Sequence, residues 1–369
     1  TNFCLYLMLS NRFLKKVNNY KKLISTISIN GIKENIIERS DYPLSKCQDI
    51  LKDKKVSIIG YGPQGRGQSL NLRDNNINVS LGLRKGPSWD KALEDGWIEG
   101  KDLFEMEEAC DKGNVIQYLL SDVGQIKQWD IVKSHLKKND TLYFSHGFGI
   151  TYKDKTDIIP PENVDVVLVA PKGAGNTVRN HFVEGGGINA SYAIHQDFTG
   201  KAKDTTLALA FAIGCGHAFE TTFEKEVYSD LTGERCVLMG LIQGAFLAQY
   251  KVLRENGHSP SEAYNETVEE ALESLFPLIS AQGMDWLYSN CSTTAQRGAL
   301  DWAPRFEFVL KPVIEECYKS VLNGHEADVV IESNSSPDYR EKLNKELKEI
   351  DSQELWQAAK VLRNLRPSS

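Results

Sequence analysis

Val56-Ser-Ile-Ile59, running into Gly60-Tyr-Gly-Pro-Gln-Gly65 and then a helix-forming run through Gln68, Leu70 and Leu72, limits the possible folds more than any other stretch. A short apolar strand that breaks into GxGxxG and enters a helix assigns each glycine a task. Gly60 makes the tight turn, Gly62 lets the main chain approach a pyrophosphate, and Gly65 lets helix pack on strand. The helix amino terminus, with its unpaired N–H groups, then meets the phosphates. The hexapeptide alone is a weak signal; strand before and helix after make it a dinucleotide site.

The same strand-then-helix rhythm continues. After a second strand at 79–83, the place where an NAD-specific site carries an acid holds Arg84-Lys85-Gly86-Pro87-Ser88. Two cations and a hydroxyl suit a 2′-phosphate that a carboxylate would repel, which selects NADP(H); the plainer reading is a basic surface loop. Strands at 114–120, 141–144 and 164–169 end in Ser121-Asp122, Ser145-His146-Gly147 and Ala170-Pro171-Lys172-Gly173, with a helix from about Gln125. In a doubly wound sheet the carboxyl ends of the strands form the ligand-facing edge, so Asp122, His146 and Lys172 are expected to converge on one crevice. A last strand at 188–195 and a helix at 204–213 complete the series. Strand signals vanish from about Thr222, and helical segments run to about Leu322 with breaks at 257–260, 281–283 and near Ala303-Pro304.

The carboxylates cluster in that helical part. Asp230 and Glu234 stand four residues apart, about one helical turn, and so share a face. Their neighbours Val227, Leu231, Val237, Leu238, Leu241 and Ile242 are apolar, which predicts a mostly buried helix with its acids facing a cavity. An ionised carboxylate in that position needs a cation, a basic side chain or a raised pKa. Glu266 and Glu270 repeat the spacing on the next helix, and four oxygen ligands on two helices suit Mg²⁺ or Mn²⁺. Ordinary solvated helix faces are the competing reading, with more weight for Glu266 and Glu270 than for Asp230 and Glu234. Asn290-Cys-Ser-Thr-Thr-Ala-Gln-Arg-Gly298 reads either as a capping loop, with Ser292 or Thr293 as N-cap, or as a seat for a substrate carboxylate.

Bulk properties exclude several classes. With 369 residues, 41% hydrophobic and 25% charged, the chain has room for two domains and a large core. A net charge of −7 argues against a general nucleic-acid binder. Seven cysteines without CxxC pairing and seven histidines without HExxH fit a reducing compartment and no zinc site. No wholly apolar run reaches the ~20 residues of a spanning helix, so no membrane partner is expected. The first 33 residues carry six Lys or Arg and no acid, and from Met8 they form a basic amphipathic pattern of the mitochondrial presequence type, a plastid transit peptide being the alternative. Residues 1–35 are therefore set aside as a targeting leader.

Taken together, Gly60-Tyr-Gly-Pro-Gln-Gly65, Ser145-His-Gly-Phe-Gly149, Ala170-Pro-Lys-Gly-Ala-Gly175, Ser229-Asp-Leu-Thr-Gly-Glu234 and Ser292-Thr-Thr-Ala295 give the chain a resemblance, from about 40 to 366, to the short-form ketol-acid reductoisomerases. The resemblance implies an α/β Rossmann-like, doubly wound NADP-binding domain over 36–221, an all-α domain, knotted in that family, over 222–332, and a helical tail over 333–369. It implies two Mg²⁺ ions per site held by Asp230, Glu234, Glu266 and Glu270, a substrate carboxylate at Ser292, and catalytic roles for His146, Lys172 and Glu234, the last as proton shuttle. NADPH would be lined by Gly60, Tyr61, Gly62, Pro63, Gln64, Gly65, Arg84, Lys85, Ser88, Asp122 and Gln125, with Gly175 near the nicotinamide. An acetohydroxyacid substrate and a homo-oligomer follow from the same likeness. The chain departs from the family pattern in a loop one residue shorter after Arg84, with Pro87 in place of a second serine, and in Ala174 and Pro63.

Overall fold

Ile58 and Ile59 are adjacent in sequence and both wholly buried, because a strand sends them to opposite faces of a sheet that is covered on both sides. The computed structural model describes residues 25–366, in two units that meet at Glu226 and Val227.

Ten strands build the first unit's sheet: β1 (Ser25–Ile29), β2 (Ile32–Glu38), β3 (Val56–Ile59), β4 (Val79–Gly82), β5 (Leu103–Phe104), β6 (Val115–Tyr118), β7 (Thr141–Phe144), β8 (Asp165–Pro171), β9 (Ala190–Gln196) and β10 (His217–Glu220). Their spatial order is β1-β2-β10-β9-β8-β7-β6-β3-β4-β5. From β5 through β4, β3, β6 and β7 to β8 the pairing is parallel, and the order reverses between β3 and β6. That reversal is the switch point of a doubly wound sheet, where ligands bind beyond the strands' carboxyl ends. β9 then runs antiparallel to β8, β10 parallel to β9, and the β1–β2 hairpin adds an antiparallel edge.

Helices α1 (Pro63–Asp74), α2 (Pro87–Glu94), α3 (Asp122–His135), α4 (Gly175–Val183) and α5 (Ala202–Ala212) accompany the strands. The hairpin overlaps the span 1–35 read as leader, because strand pairing already begins at Ser25. Its alternation is mostly exposed, and only Ile36 and Ile37 are buried, so it carries little of the core signal by which strands are recognised. The remainder of the leader reading, residues 1–24, lies outside the described residues.

The helix α6 (Phe223–Gly233) crosses the boundary between the units. In the second unit it is followed by a π-helical turn (Glu234–Leu238), α7 (Gly240–Glu255), α8 (Pro260–Tyr264), two further π-helical turns (Asn265–Glu269 and Ala271–Leu275), α9 (Phe276–Gln282), α10 (Met284–Asn290), α11 (Thr293–Leu322), α12 (His325–Ser335), α13 (Tyr339–Asp351) and α14 (Glu354–Arg363). The capping box at Ser259 and Glu262 starts α8, and Gly283 in a left-handed conformation separates α9 from α10, both near expected breaks. The break expected at Pro304 does not occur: α11 continues for 30 residues with Pro304 and Pro312 inside it.

By length and composition alone, Phe223–Glu255 is apolar enough to cross a membrane, a stretch the sequence reading does not single out. It is not one continuous helix. Cys236 (φ −96°, ψ −117°) and Met239 (φ −140°, ψ −64°) break the ladder, whereas a spanning helix must satisfy every backbone group internally. The tail packs inward: Leu355 and Ala359 join Tyr250, Ala263, Tyr264 and Val268 in a small core.

Candidate functional site

The glycine turn is built by close approach. Gly60 holds φ +111°, and a Cβ there would lie 2.6 Å from the Leu119 carbonyl oxygen at the end of β6. A Cβ on Gly175, the first residue of α4, would lie 2.0 Å from Pro63 main-chain atoms, so only glycine lets α4 press against the start of α1. Gly62 is different. Its φ of −70° suits any residue, and no protein atom lies within 4 Å of a Cβ placed there. The fold does not demand that glycine, but a phosphate at the amino terminus of α1 does, and on this ground the turn fits a dinucleotide.

Beneath the turn lies a network that the sequence does not announce. Arg66 makes a two-pronged pair with Asp95, with Nε to Oδ2 at 2.6 Å and Nη2 to Oδ1 at 2.8 Å. Tyr61 donates its hydroxyl to Asp95 at 2.8 Å and accepts from Trp97 Nε1 at 2.9 Å. The Arg66 bond holds the Asp95 carboxyl below the usual range, while burial and then the Asp95 bond push the Tyr61 hydroxyl up. Tyr61 is thus buried in the wall, and its hydroxyl is already engaged. Gln125 is likewise turned inward, with Nε2 donating to the Tyr118 and Leu120 carbonyls at 3.1 Å, so it braces the end of β6. Asp122 opens α3 and is half-buried, while Arg84, Lys85 and Ser88 are exposed around the start of α2.

Polar side chains link the turn to the ends of β7 and β8. Gln64 Nε2 donates to the Gly173 carbonyl at 2.9 Å. Gln68 Nε2 donates to Gln64 Oε1 at 3.1 Å and to Ser145 Oγ at 2.8 Å, and Tyr143 Oη donates to Gln68 Oε1 at 2.8 Å. His146 and Lys172 follow directly, and the structure brings both to one carboxylate, Glu226. Its Oε2 is 3.2 Å from His146 Nδ1 and accepts the Gly147 N–H at 3.0 Å, and its Oε1 is 3.4 Å from Lys172 Nζ.

Glu226 is 2% exposed. Burial pushes its carboxyl upward, but the His146 bond, the charges of His146 and Lys172 and the Gly147 N–H outweigh it and hold the group below its ordinary value. An ionised, buried carboxylate therefore lies beside an imidazole and an ammonium at the carboxyl edge of the sheet. Sequence alone does not single out Glu226, which follows Glu224 and Lys225 in an unremarkable charged stretch. Its position one turn before Asp230 in the same helix was the available signal.

The four acids read as metal ligands are placed less simply. Asp230 is half-buried in α6; Glu234 opens the first π-helical turn, Glu266 lies in the second, and Glu270 sits between the second and third. Single π-helical turns recur at functional sites, since they re-aim side chains that an α-helix would hold in register. Glu234, Glu266 and Glu270 are exposed, and Val237 and Leu238, expected to be buried, are 56% and 66% exposed. Among the described residues, no group of three or more closely clustered ligating side chains includes Glu234, Glu266 or Glu270. Neither Glu266 nor Glu270 has an ion-pair partner among the described residues. As hard oxygen donors without a basic neighbour, these two suit Mg²⁺ in kind. Ser292 is the N-cap of α11, accepting from Ala295 N at 3.2 Å.

Comparison with known proteins agrees along both units. The family model for the acetohydroxy acid isomeroreductase NADPH-binding domain matches residues 50–218, and that for the ketol-acid reductoisomerase C-terminal domain matches residues 223–368. The chain is 55% identical over 345 residues to the ketol-acid reductoisomerase (NAD(+)) of Desulfosudis oleivorans, covering 93% of this chain and 98% of that protein. It is also 55% identical over 359 residues to the mitochondrial ketol-acid reductoisomerase of Saccharomyces cerevisiae, covering 97% and 91%. A solved NADH-preferring ketol-acid reductoisomerase from an uncultured archean superposes with a TM-score of 0.80 at 32% identity, over 90% of this chain and all of that one. With the glycine turn, the two-unit fold and matches that span nearly its whole length, the chain belongs to the ketol-acid reductoisomerase family, in its short form.

Proposed function

We propose that this chain, a ketol-acid reductoisomerase of branched-chain amino-acid biosynthesis, uses NADPH and two Mg²⁺ ions. It moves the alkyl group of 2-acetolactate or 2-aceto-2-hydroxybutanoate and reduces the product to the 2,3-dihydroxy-3-methyl acid. The observation that carries the reading is the Glu226 hub, which fixes His146 and Lys172 at the strand edge that the Gln64 and Gln68 bonds tie to the glycine turn. Asp230, Glu234, Glu266 and Glu270 would hold the metals. When bound, the ions supply Lewis acidity to the substrate oxygens and the nicotinamide supplies hydride.

The protein's own part is to bind, orient and move protons. Lys172, with Nζ 3.4 Å from Glu226 Oε1, is placed to give a proton to a developing oxyanion. His146 presents Nδ1 to the Glu226 carboxylate at 3.2 Å. Glu234 shuttles the proton, and Ser292 with the α11 amino terminus receives the substrate carboxylate. Gly62 and Gly65 admit the pyrophosphate, and Arg84 and Ser88 take the 2′-phosphate.

We assign the active form to a homo-oligomer. Its support is the apolar surface of the second unit, where Trp302, Phe306, Phe308, Val309 and Val313 of α11 are 54–80% exposed in the single chain. Mitochondrial import is the matching location, supported by the basic, acid-free start of the sequence and by fungal relatives named as mitochondrial. The test is Asp230→Asn. It should abolish turnover of 2-acetolactate while NADPH binding, followed by nicotinamide fluorescence, is retained; unchanged turnover would contradict the metal assignment.

A further inference from the structure

Lys85 is the second cation of the loop that would meet the ribose, and its ammonium is already engaged. Its Nζ lies 2.6 Å from Glu99 Oε1 and 3.5 Å above the centre of the Trp89 ring. Trp89 is 3% exposed and gives that ammonium a fixed platform. Glu99 comes from outside the loop, in the return to β5. Its segment is pinned by the Ile98 N–H on Asp102 Oδ1 at 2.6 Å and the Gly100 N–H on the Leu103 carbonyl at 3.0 Å. Arg84, by contrast, has no ion-pair partner among the described residues, and Ser88 stands in the first turn of α2 behind Gly86, whose φ is +141°.

We propose that Glu99 sets the nucleotide preference: it draws Lys85 onto Trp89 and puts a negative charge beside the 2′-phosphate position, so that the protein discriminates only weakly between NADPH and NADH. This rests on the cofactor site described above. The pair is more than half exposed on both sides, 55% for Lys85 and 60% for Glu99, so it is held by a modest energy and yields to substitution without unfolding the unit. A phosphate ester at neutral pH is close to doubly charged, and a fixed carboxylate nearby opposes it whatever Lys85 does.

The test is a pair of titrations of the intact protein with NADPH and NADH, read by nicotinamide fluorescence at two salt concentrations. Glu99→Gln should tighten NADPH about five- to tenfold, leave NADH within about twofold, and steepen the salt dependence for NADPH. Adding Lys85→Met to Glu99→Gln should remove the part of the gain that comes from the released ammonium and leave the part that comes from losing the carboxylate. If Glu99→Gln weakens NADPH, Glu99 instead presents Lys85 to the phosphate and the proposal is overturned; an unchanged NADPH-to-NADH ratio overturns it equally. Wild-type protein that binds neither nucleotide overturns the cofactor reading, and this proposal with it.

Discussion

Ile58, Leu81, Val115, Leu142 and Val167, one from each of five neighbouring strands, are 0% exposed, whereas Trp302, Phe306, Phe308 and Val313 along a single helix of the second unit are 54–80% exposed. The sheet closes its core with its own residues, layer on layer. The helical unit has a small core around Tyr250, Tyr264 and Leu355 and leaves a broad apolar face uncovered. The difference separates two kinds of stability. The first unit's packing is written within one chain, while the second unit leaves apolar side chains and acids exposed that the proposed self-association would cover.

Four variants break or sharpen the contrast. The largest effect is expected from Trp302→Asp with Phe306→Asp. Charges in the uncovered face should weaken self-association by at least about 100-fold, read by sedimentation velocity, and reduce turnover with it, while the melting of the sheet unit stays unchanged. A protein that remains associated and active would place the interface elsewhere. Gly175→Ala should act in the opposite way. A methyl group 2.0 Å from Pro63 main-chain atoms should destabilise the sheet unit by roughly 3 kcal/mol or more without dissociating the protein, seen as a lower melting transition at unchanged sedimentation.

Glu226→Gln comes next. It keeps the shape but removes the charge that orients His146 and Lys172, and kcat should fall about 100-fold with NADPH affinity retained; a full-rate variant would reduce the hub to a structural brace. The smallest effect belongs to Asp95→Asn, about 1–2 kcal/mol of stability, since Arg66 is partly exposed and shares the pair with solvent. The sign of its pH dependence is fixed. The folded Asp95 pKa lies below the unfolded value, so its contribution is present above about pH 4 and is lost as pH falls through the folded pKa. The acid limb of the wild-type stability curve should flatten in this variant.

How far the sequence could be read follows the same division. β3, β4, β6, β7 and β8 were legible because apolar runs buried on both faces, each ending in turn residues, leave a signal in single strands. β1 and β2 were not, because an edge hairpin exposed on most of its length has no such pattern, and β10 is fully buried only at Ala218. The continuation of α11 through Pro304 and Pro312 ran against the expectation that an interior proline ends a helix. His146 and Lys172 were found as strand-end residues, but the carboxylate that joins them lies some 50 residues beyond Lys172 and carries no motif of its own. For Glu266 and Glu270 the spacing was legible while the π-helical turns were not, since no local composition marks an i→i+5 bond. The apolar flanks of Glu234 predicted burial, and the structure contradicts this at Val237 and Leu238, which lie exposed.

The most direct test of the account is the reaction itself. Purified protein, stripped with EDTA and supplied with 2-acetolactate and NADPH, should consume no NADPH until Mg²⁺ is added, and should then oxidise one NADPH for each dihydroxy acid formed. Oxidation of NADPH by 2-acetolactate at full rate in EDTA would contradict the account and leave a simple dehydrogenase in its place.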